Sequence, residues 1–178
     1  MKKLTLIVLT VVAILGTAAF ASTRLWAAPP AKSSPRVAAA QPCGQSELVL
    51  FGHVESLTPK GDHFELQFDP AWFTSGLTAS RAMLEDTGSG DVPNDNYVIE
   101  EGHRLLTYIL PANARISVLT RKGQPDSSGF PSATVTSAQL AQLLAGKEPV
   151  KLLEALDTGF WMHVHVDTVC SLQQQYQP

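Results

Sequence analysis

The polar and apolar residues between positions 63 and 69 alternate as they do along half-buried β-strands. Phe64, Leu66 and Phe68 are apolar, and the residues between them are polar. A second strand-like run covers residues 46–57, and the intervening TPKGD contains the proline and glycine that favour turns. The pattern therefore predicts a β-hairpin over residues 46–69.

Strand-like patterns return in the second half of the chain. Residues 97–111 and 114–120 are rich in β-branched and aromatic residues, and Gly102 predicts a bend or bulge within the first of these segments. A last strand is expected to begin near Gly159 and to run to about residue 172. These segments bring the number of predicted strands to five.

Helix signals are fewer. Thr136 and Gln139 have the spacing of a capping box, three leucines follow on one face, and Gly146 stands where a C-terminal cap belongs. Asp69 before Pro70 has the pattern of an N-cap before a first-turn proline, which predicts a short helical turn, and a second short helix is predicted over residues 78–85.

Together these elements predict a mainly β domain over residues 46–178. The expected architecture is a small antiparallel five-stranded barrel, similar to the oligonucleotide/oligosaccharide-binding (OB) type, with one or two short helices and one clear helix before the last strand. Such an architecture does not by itself specify a function.

The last predicted strand, GFWMHVHVDTVCSL, contains the most suggestive chemistry of the chain. Because successive side chains of a strand point to opposite faces, its residues divide into two sets. The set assigned to the core is Phe160, Met162, Val164 and Val166, and the set assigned to the solvent side is Trp161, His163, His165 and Asp167.

This polar face supports two alternative interpretations. Trp161, His163 and His165 could bind a ligand, with the indole ring as a stacking platform. Alternatively, His163 and His165 could bind zinc or copper, with His53 as the best third ligand, since a metal site needs ligands from more than one segment. The simplest interpretation is a solvated histidine pair, in which case no cofactor is expected.

The N-terminus predicts export. Lys2 and Lys3 precede an apolar run that ends in the small-x-small triplet Ala19, Phe20, Ala21, as in signal peptides. The apolar run is also near the lower length limit for crossing a bilayer. Residues 1–21 are therefore interpreted as a signal peptide or an N-terminal membrane anchor, and both outcomes place the rest of the chain outside the cytoplasm, either secreted or anchored.

Residues 22–45 are rich in Ala, Pro and Ser without periodicity, which is typical of a tether. The chain has two cysteines, Cys43 at the end of this tether and Cys170 in the last predicted strand. Because exported proteins meet an oxidising environment, we expect a Cys43–Cys170 disulfide. The alternative is a pair of free thiols.

Charge and motifs exclude several function classes. The formal net charge is −3, and lysines and arginines are scattered singly or in pairs, so nucleic acid is not an expected partner. The sequence contains no G-x-S-x-G or H-E-x-x-H motif, and no catalytic residue is assigned. The D-T-G-S sequence at 86–89 resembles pepsin-like aspartic proteases over four residues only, and those enzymes require a pair of such aspartates. Residues 85–96 are interpreted as an acidic surface loop, with calcium binding as the alternative.

The functional expectation is an exported or membrane-anchored β-domain that acts in the cell envelope by binding or by structural support. Its expected partner is a protein or a small-molecule ligand of the envelope, and its contact with the membrane is expected through residues 1–21 only. The alternative is a metal-binding or metal-dependent protein that uses the His163 and His165 face.

Overall fold

A computed structural model describes residues 48–102, 104–126 and 129–177. This part of the chain forms eight β-strands and two α-helices, with short 3₁₀ turns at Pro93–Asp95 and Leu156–Thr158. The strands are β1 (Leu48–Lys60), β2 (His63–Ser75), β3 (Asn96–Glu100), β4 (Leu106–Pro111), β5 (Arg115–Pro125), β6 (Pro131–Val135), β7 (Phe160–His165) and β8 (Thr168–Gln174), and the helices are α1 (Gly76–Thr87) and α2 (Ser137–Leu144).

The prediction of a mainly β domain is confirmed. The strands form one sheet in the order β3-β2-β1-β7-β8-β5-β6, and β4 pairs with both β2 and β8. The β2–β4 pairing extends over six residue pairs, whereas β4 meets β8 at the single parallel pair Ile109 and Thr168. The strands β2, β1, β7, β8 and β4 therefore follow one another around a partial ring.

The predicted hairpin is present and longer than expected. Its second strand continues to Ser75, so the helical turn predicted after Pro70 is wrong. Pro70 lies where the outer neighbour of β2 changes from β4, paired through Phe68, to β3, paired from Ala71. Ladder hydrogen bonds on both sides of this position outweigh the local helix signal.

Eight strands form where five were predicted, because two predicted strands are each divided and β6 was not predicted. Residues 97–111 give β3 and β4, with Gly102 at φ +89° between them. The last predicted strand is the hairpin of β7 and β8, with Val166 at φ +57° in the connecting turn. A valine rarely adopts positive φ, so sequence alone favoured an uninterrupted strand here.

Helix α2 confirms the clearest helix prediction. The Thr136 side chain accepts from the Gln139 backbone N–H at 3.2 Å, and the Gln139 side chain accepts from the Thr136 backbone N–H at 2.9 Å. At the other end Gly146 has φ +73°, and its N–H donates to the carbonyl of Leu143. The caps satisfy end groups that the helix itself leaves unpaired.

The core lies inside the partial ring, under α2. It is formed by buried apolar side chains from all five ring strands, from β5 and β6, and from the inner face of α2. Its members are Val54, Leu66, Phe68, Leu110, Ile116, Val118, Val135, Leu140, Leu143, Phe160, Met162, Val164, Val169 and Leu172. The outer faces of β1, β2 and β7 point away from this core and carry the candidate site.

Candidate functional site

Strand β7 alternates as predicted over its own length. Phe160, Met162 and Val164 are buried in the core, and Trp161 is on the opposite, outer face. The prediction for Val166 is wrong: this residue lies in the turn and is 78% exposed, because the strand has already ended.

The outer face of β7 continues onto β1 and β2. In the antiparallel register Trp161 is opposite Phe51, and Phe51 is opposite Ala71 of β2. Phe73, two residues further along β2, points to the same side as Ala71. The register therefore brings side chains from three strands to one place on the outer surface.

Three rings meet there and are called the aromatic cluster: Phe51, Phe73 and Trp161. Their centroids are 5.1–5.6 Å apart, and each pair of ring planes is inclined by 58–63°. Inclined pairs at these separations are favourable for aromatic side chains, because the electropositive edge of one ring meets the electronegative face of another. The cluster is consequently a fixed arrangement of rings.

Small residues make room for the cluster. Gly159 has φ +88°, and a Cβ atom at this position would lie 2.5 Å from Cζ of Phe51. Ala71 leaves space on the other side of Phe51, since it is the residue opposite this ring on β2. A pocket of about 180 Å³ opens at this place.

The pocket, called the aromatic pocket, has an apolar wall and an acidic rim. Its lining residues are Val49, Leu50, Phe51, Pro70, Ala71, Trp72, Phe73, Glu101 and Trp161. Trp72 is 58% exposed, and Glu101 is exposed. Next to Glu101, a carboxylate oxygen of Glu100 lies 3.1 Å from Nε2 of His53. Trp72 lies between Ala71 and Phe73 on β2, so its side chain points to the opposite face of the strand from the cluster. Inclined rings beside a carboxylate form a surface suited to ligand binding.

The orientation of Trp161 is set by a hydrogen bond. Its Nε1–H donates to Oε1 of Gln175 at 2.7 Å. Because the indole is partly buried and its polar edge is satisfied, the ring is held in place. Trp161, predicted as a ligand-binding residue, thus belongs to the pocket wall.

The predicted metal ligands are distributed differently. His163 of β7 is opposite Val49 of β1. His53 lies on β1 on the other side of Phe51, so the Phe51–Trp161 pair lies between the two histidines. His165 is partly buried near the end of β7, and its Nδ1 atom makes no hydrogen bond with the residues described. Across residues 48–102, 104–126 and 129–177, no group of three His, Cys, Asp or Glu side chains is placed to hold a metal ion.

The structure describes one of the two cysteines of the predicted disulfide. Cys170 is buried in β8, at the place where the register between β7 and β8 shifts. Cys43 lies outside the described residues, as do the predicted export segment 1–21 and the tether 22–45. The pairing of the two cysteines stays a prediction.

The acidic stretch is partly helical. Helix α1 extends to Thr87, whose Oγ1 donates to the carbonyl of Met83, and Gly88 ends the helix at φ +79°. Asp86 accepts a hydrogen bond of 3.0 Å from the hydroxyl of Tyr97, which raises the pKa of this tyrosine. The D-T-G sequence is therefore a helix C-terminus that is joined to β3.

A larger pocket of about 680 Å³ lies beside the C-terminus of α2. Arg121, Lys147 and Lys151 line it together with Glu148, Glu154 and several leucines. Charges of both signs surround this pocket, and no aromatic residue in the described part of the chain lines it. The residues that line this pocket therefore indicate a ligand class less clearly than those of the aromatic pocket do.

Sequence reasoning missed most of the aromatic pocket. Trp72 and Phe73 fall in the segment predicted as a helical turn, so their place on a strand was hidden. Trp161 is the lining residue that the sequence identifies, because it lies in a strand with clear alternation.

Comparison with protein-family models, curated proteins and solved structures finds no match for this chain. In the described residues, neither α1 nor α2 combines the length and the apolar character needed to cross a bilayer. The function is therefore inferred from the geometry of the site.

Proposed function

We propose that this chain is an extracytoplasmic β-domain that acts in the cell envelope by binding a ligand in the aromatic pocket. The observation that carries the proposal is the convergence of Phe51, Phe73 and Trp161 from three strands at a pocket that the exposed Trp72 also lines. A monomeric domain gains little by exposing a large aromatic side chain next to a pocket, whereas binding sites commonly do so. The ligand is a small molecule or a side chain of a partner protein.

We further propose that the partial ring of strands is an OB-like barrel of five strands, β1, β2, β4, β7 and β8. The pairings of β1 with β2 and β7, and of β4 with β2 and β8, support this arrangement. The helix α2 precedes the hairpin of β7 and β8, as in that class of barrel. In this arrangement the aromatic pocket lies on the outside of the barrel.

Binding is tested by filling the pocket. Ala71→Leu adds volume opposite Phe51 without removing any ring, and Ala138→Leu on the exposed side of α2 is the matched control. Ligand-observed NMR with the full chain would use indole, 3,3-dimethylbutan-1-ol, 3,3-dimethylbutanoate and choline as probes. We expect at least one probe to bind the wild type and the Ala138→Leu variant, and to bind Ala71→Leu at least tenfold more weakly. Equal binding of every probe by all three proteins, or none by the wild type, would overturn the proposal.

Export is tested separately with a reporter fused after Pro178. The apolar run of residues 4–20 is the segment proposed to direct translocation. We expect reporter activity only outside the cytoplasm, and loss of that activity when Leu6 and Val8 are both changed to Arg, since charges interrupt the apolar run. Cytoplasmic activity of the wild-type fusion would contradict the export proposal and leave the binding test unaffected.

A further inference from the structure

The side chains around the aromatic pocket have an unusual composition. Of the described residues that line it, four are aromatic, four are aliphatic, and one, Glu101, is charged. Among the described residues no lysine or arginine lines the pocket, and Glu100 adds a second carboxylate next to Glu101. The local charge is therefore negative, and the walls are rich in π-electrons.

We propose that the aromatic pocket binds a quaternary ammonium group of a small ligand. This inference rests on the proposed binding function and specifies the ligand class. Cations are attracted to the electronegative faces of aromatic rings, most strongly to tryptophan. The lining includes two tryptophans, Trp72 and Trp161, and the carboxylate of Glu101 adds a direct Coulombic attraction.

The lining favours a cation without N–H groups. A primary ammonium group or a guanidinium group brings three to five donors, and each donor that loses water without finding an acceptor costs free energy. Among the described lining residues, Glu101 is the side chain that accepts hydrogen bonds strongly, and Nε1 of Trp161 is a donor already bonded to Gln175. A quaternary ammonium carries positive charge on an apolar surface and requires no acceptor.

The size of the pocket agrees with a small group. Pockets for drug-sized ligands usually have volumes of roughly 300–1,000 Å³. The aromatic pocket, at about 180 Å³, is smaller than this range. We therefore expect the ammonium head to occupy the pocket and the remainder of the ligand to extend past Trp72 into solvent.

Three isosteres separate charge from shape. Choline, 3,3-dimethylbutan-1-ol and 3,3-dimethylbutanoate share a branched head of similar size and are cationic, neutral and anionic. We expect isothermal titration of the purified full chain to show that choline binds at least tenfold more tightly than the alcohol, and that the anion does not bind. Ethanolamine, a primary ammonium, is expected to bind at least tenfold more weakly than choline.

Two variants locate the interaction. Glu101→Gln keeps the shape of the rim and removes its charge, and it should weaken choline several-fold without affecting the alcohol. Glu148→Gln, at the larger pocket, is the matched control and should change neither affinity. Trp72→Ala removes an exposed ring and should weaken choline about tenfold, with the unchanged circular dichroism of a folded domain.

The outcomes separate this inference from the binding function. If the alcohol binds as tightly as choline and Ala71→Leu weakens both, the pocket binds ligands but does not select cations, and the inference is overturned while the binding function stands. If no binding of choline is detected at concentrations up to about 100 mM, the inference is also overturned. If choline binds equally well to Trp72→Ala and Glu101→Gln, its site is elsewhere.

Discussion

The two faces of strand β7 differ in how deeply their side chains are buried. The inner residues Phe160, Met162 and Val164 are no more than 1% exposed and pack into one core. The outer residues Trp161, His163 and His165 are only partly buried. Both faces contain large side chains, but only the outer face retains access to solvent.

The difference shows which side-chain environments follow from the alternation within one strand and which depend on its neighbours. Alternation alone assigns Phe160 and Val164 to the core, because the inner face of a partial ring is enclosed by all of its strands. The properties of the outer face depend on the neighbours: Trp161 becomes part of a pocket because β1 places Phe51 next to it. A similar outer residue beside a polar strand would be solvated.

The strongest test of this comparison exchanges an inner valine for a charge. Val164→Asp places a carboxylate in the core with no basic partner, and we expect the domain to unfold, since such burial costs at least about 4 kcal/mol. The matched control is Val166→Asp, two residues along the chain in the turn. We expect it to leave stability unchanged or slightly raised, because aspartate tolerates the positive φ of Val166 better than valine.

Thermal unfolding followed by circular dichroism measures both variants. A folded Val164→Asp domain would mean that the two faces of β7 are reversed. In that case His163 and His165 would be the enclosed residues, and their chemistry would need a new interpretation.

Periodicity predicted the parts of the fold that local sequence controls. The capping box of Thr136 and Gln139 and the alternation of Phe64, Leu66 and Phe68 both appear in the structure as expected. Pro70 and Val166 misled the prediction, because strand pairing and turn closure decided their conformations. Both are tertiary effects that a local pattern does not contain.

The candidate site was predictable only in part. Trp161 was identified because it lies in a strand with clear alternation. Phe73 and Trp72 were hidden in a segment that resembled a helix start, and Glu101 follows a strand end. A pocket built from three strands depends on register, which one sequence does not reveal.

The second test concerns the connection between the tether and β8. If Cys43 and Cys170 are bridged, the disulfide closes a loop of more than 100 residues, and replacing both cysteines by serine should lower the free energy of unfolding by about 2–5 kcal/mol without changing the fold. The expected thiol count under denaturing, non-reducing conditions is zero. Two titratable thiols in protein taken from its native compartment would contradict the bridge.

The third test applies one substitution to both faces. Phe160 is fully buried and Phe51 is 4% exposed, so each loses packing when changed to leucine. We expect Phe160→Leu to cost about 1.5 kcal/mol and Phe51→Leu about half as much, because the outer pocket can relax or admit water. Urea denaturation measures both. Equal costs would show that the aromatic cluster is packed as tightly as the core, and the distinction between the faces would fail.

The smallest expected effect is on the histidines of the outer face. Changing His163 and His165 together to Thr should alter the free energy of unfolding by no more than about 0.5 kcal/mol, since partly exposed strand positions accept threonine well. Elemental analysis of the wild-type chain tests the metal alternative at the same time. If His163, His165 and His53 bound zinc or copper, the protein would carry nearly one ion per chain, would lose it below about pH 5 as the imidazoles become protonated, and would lack it in the double variant. We expect no such ion, because Phe51 and Trp161 lie between His53 and His163 and keep the imidazoles from converging.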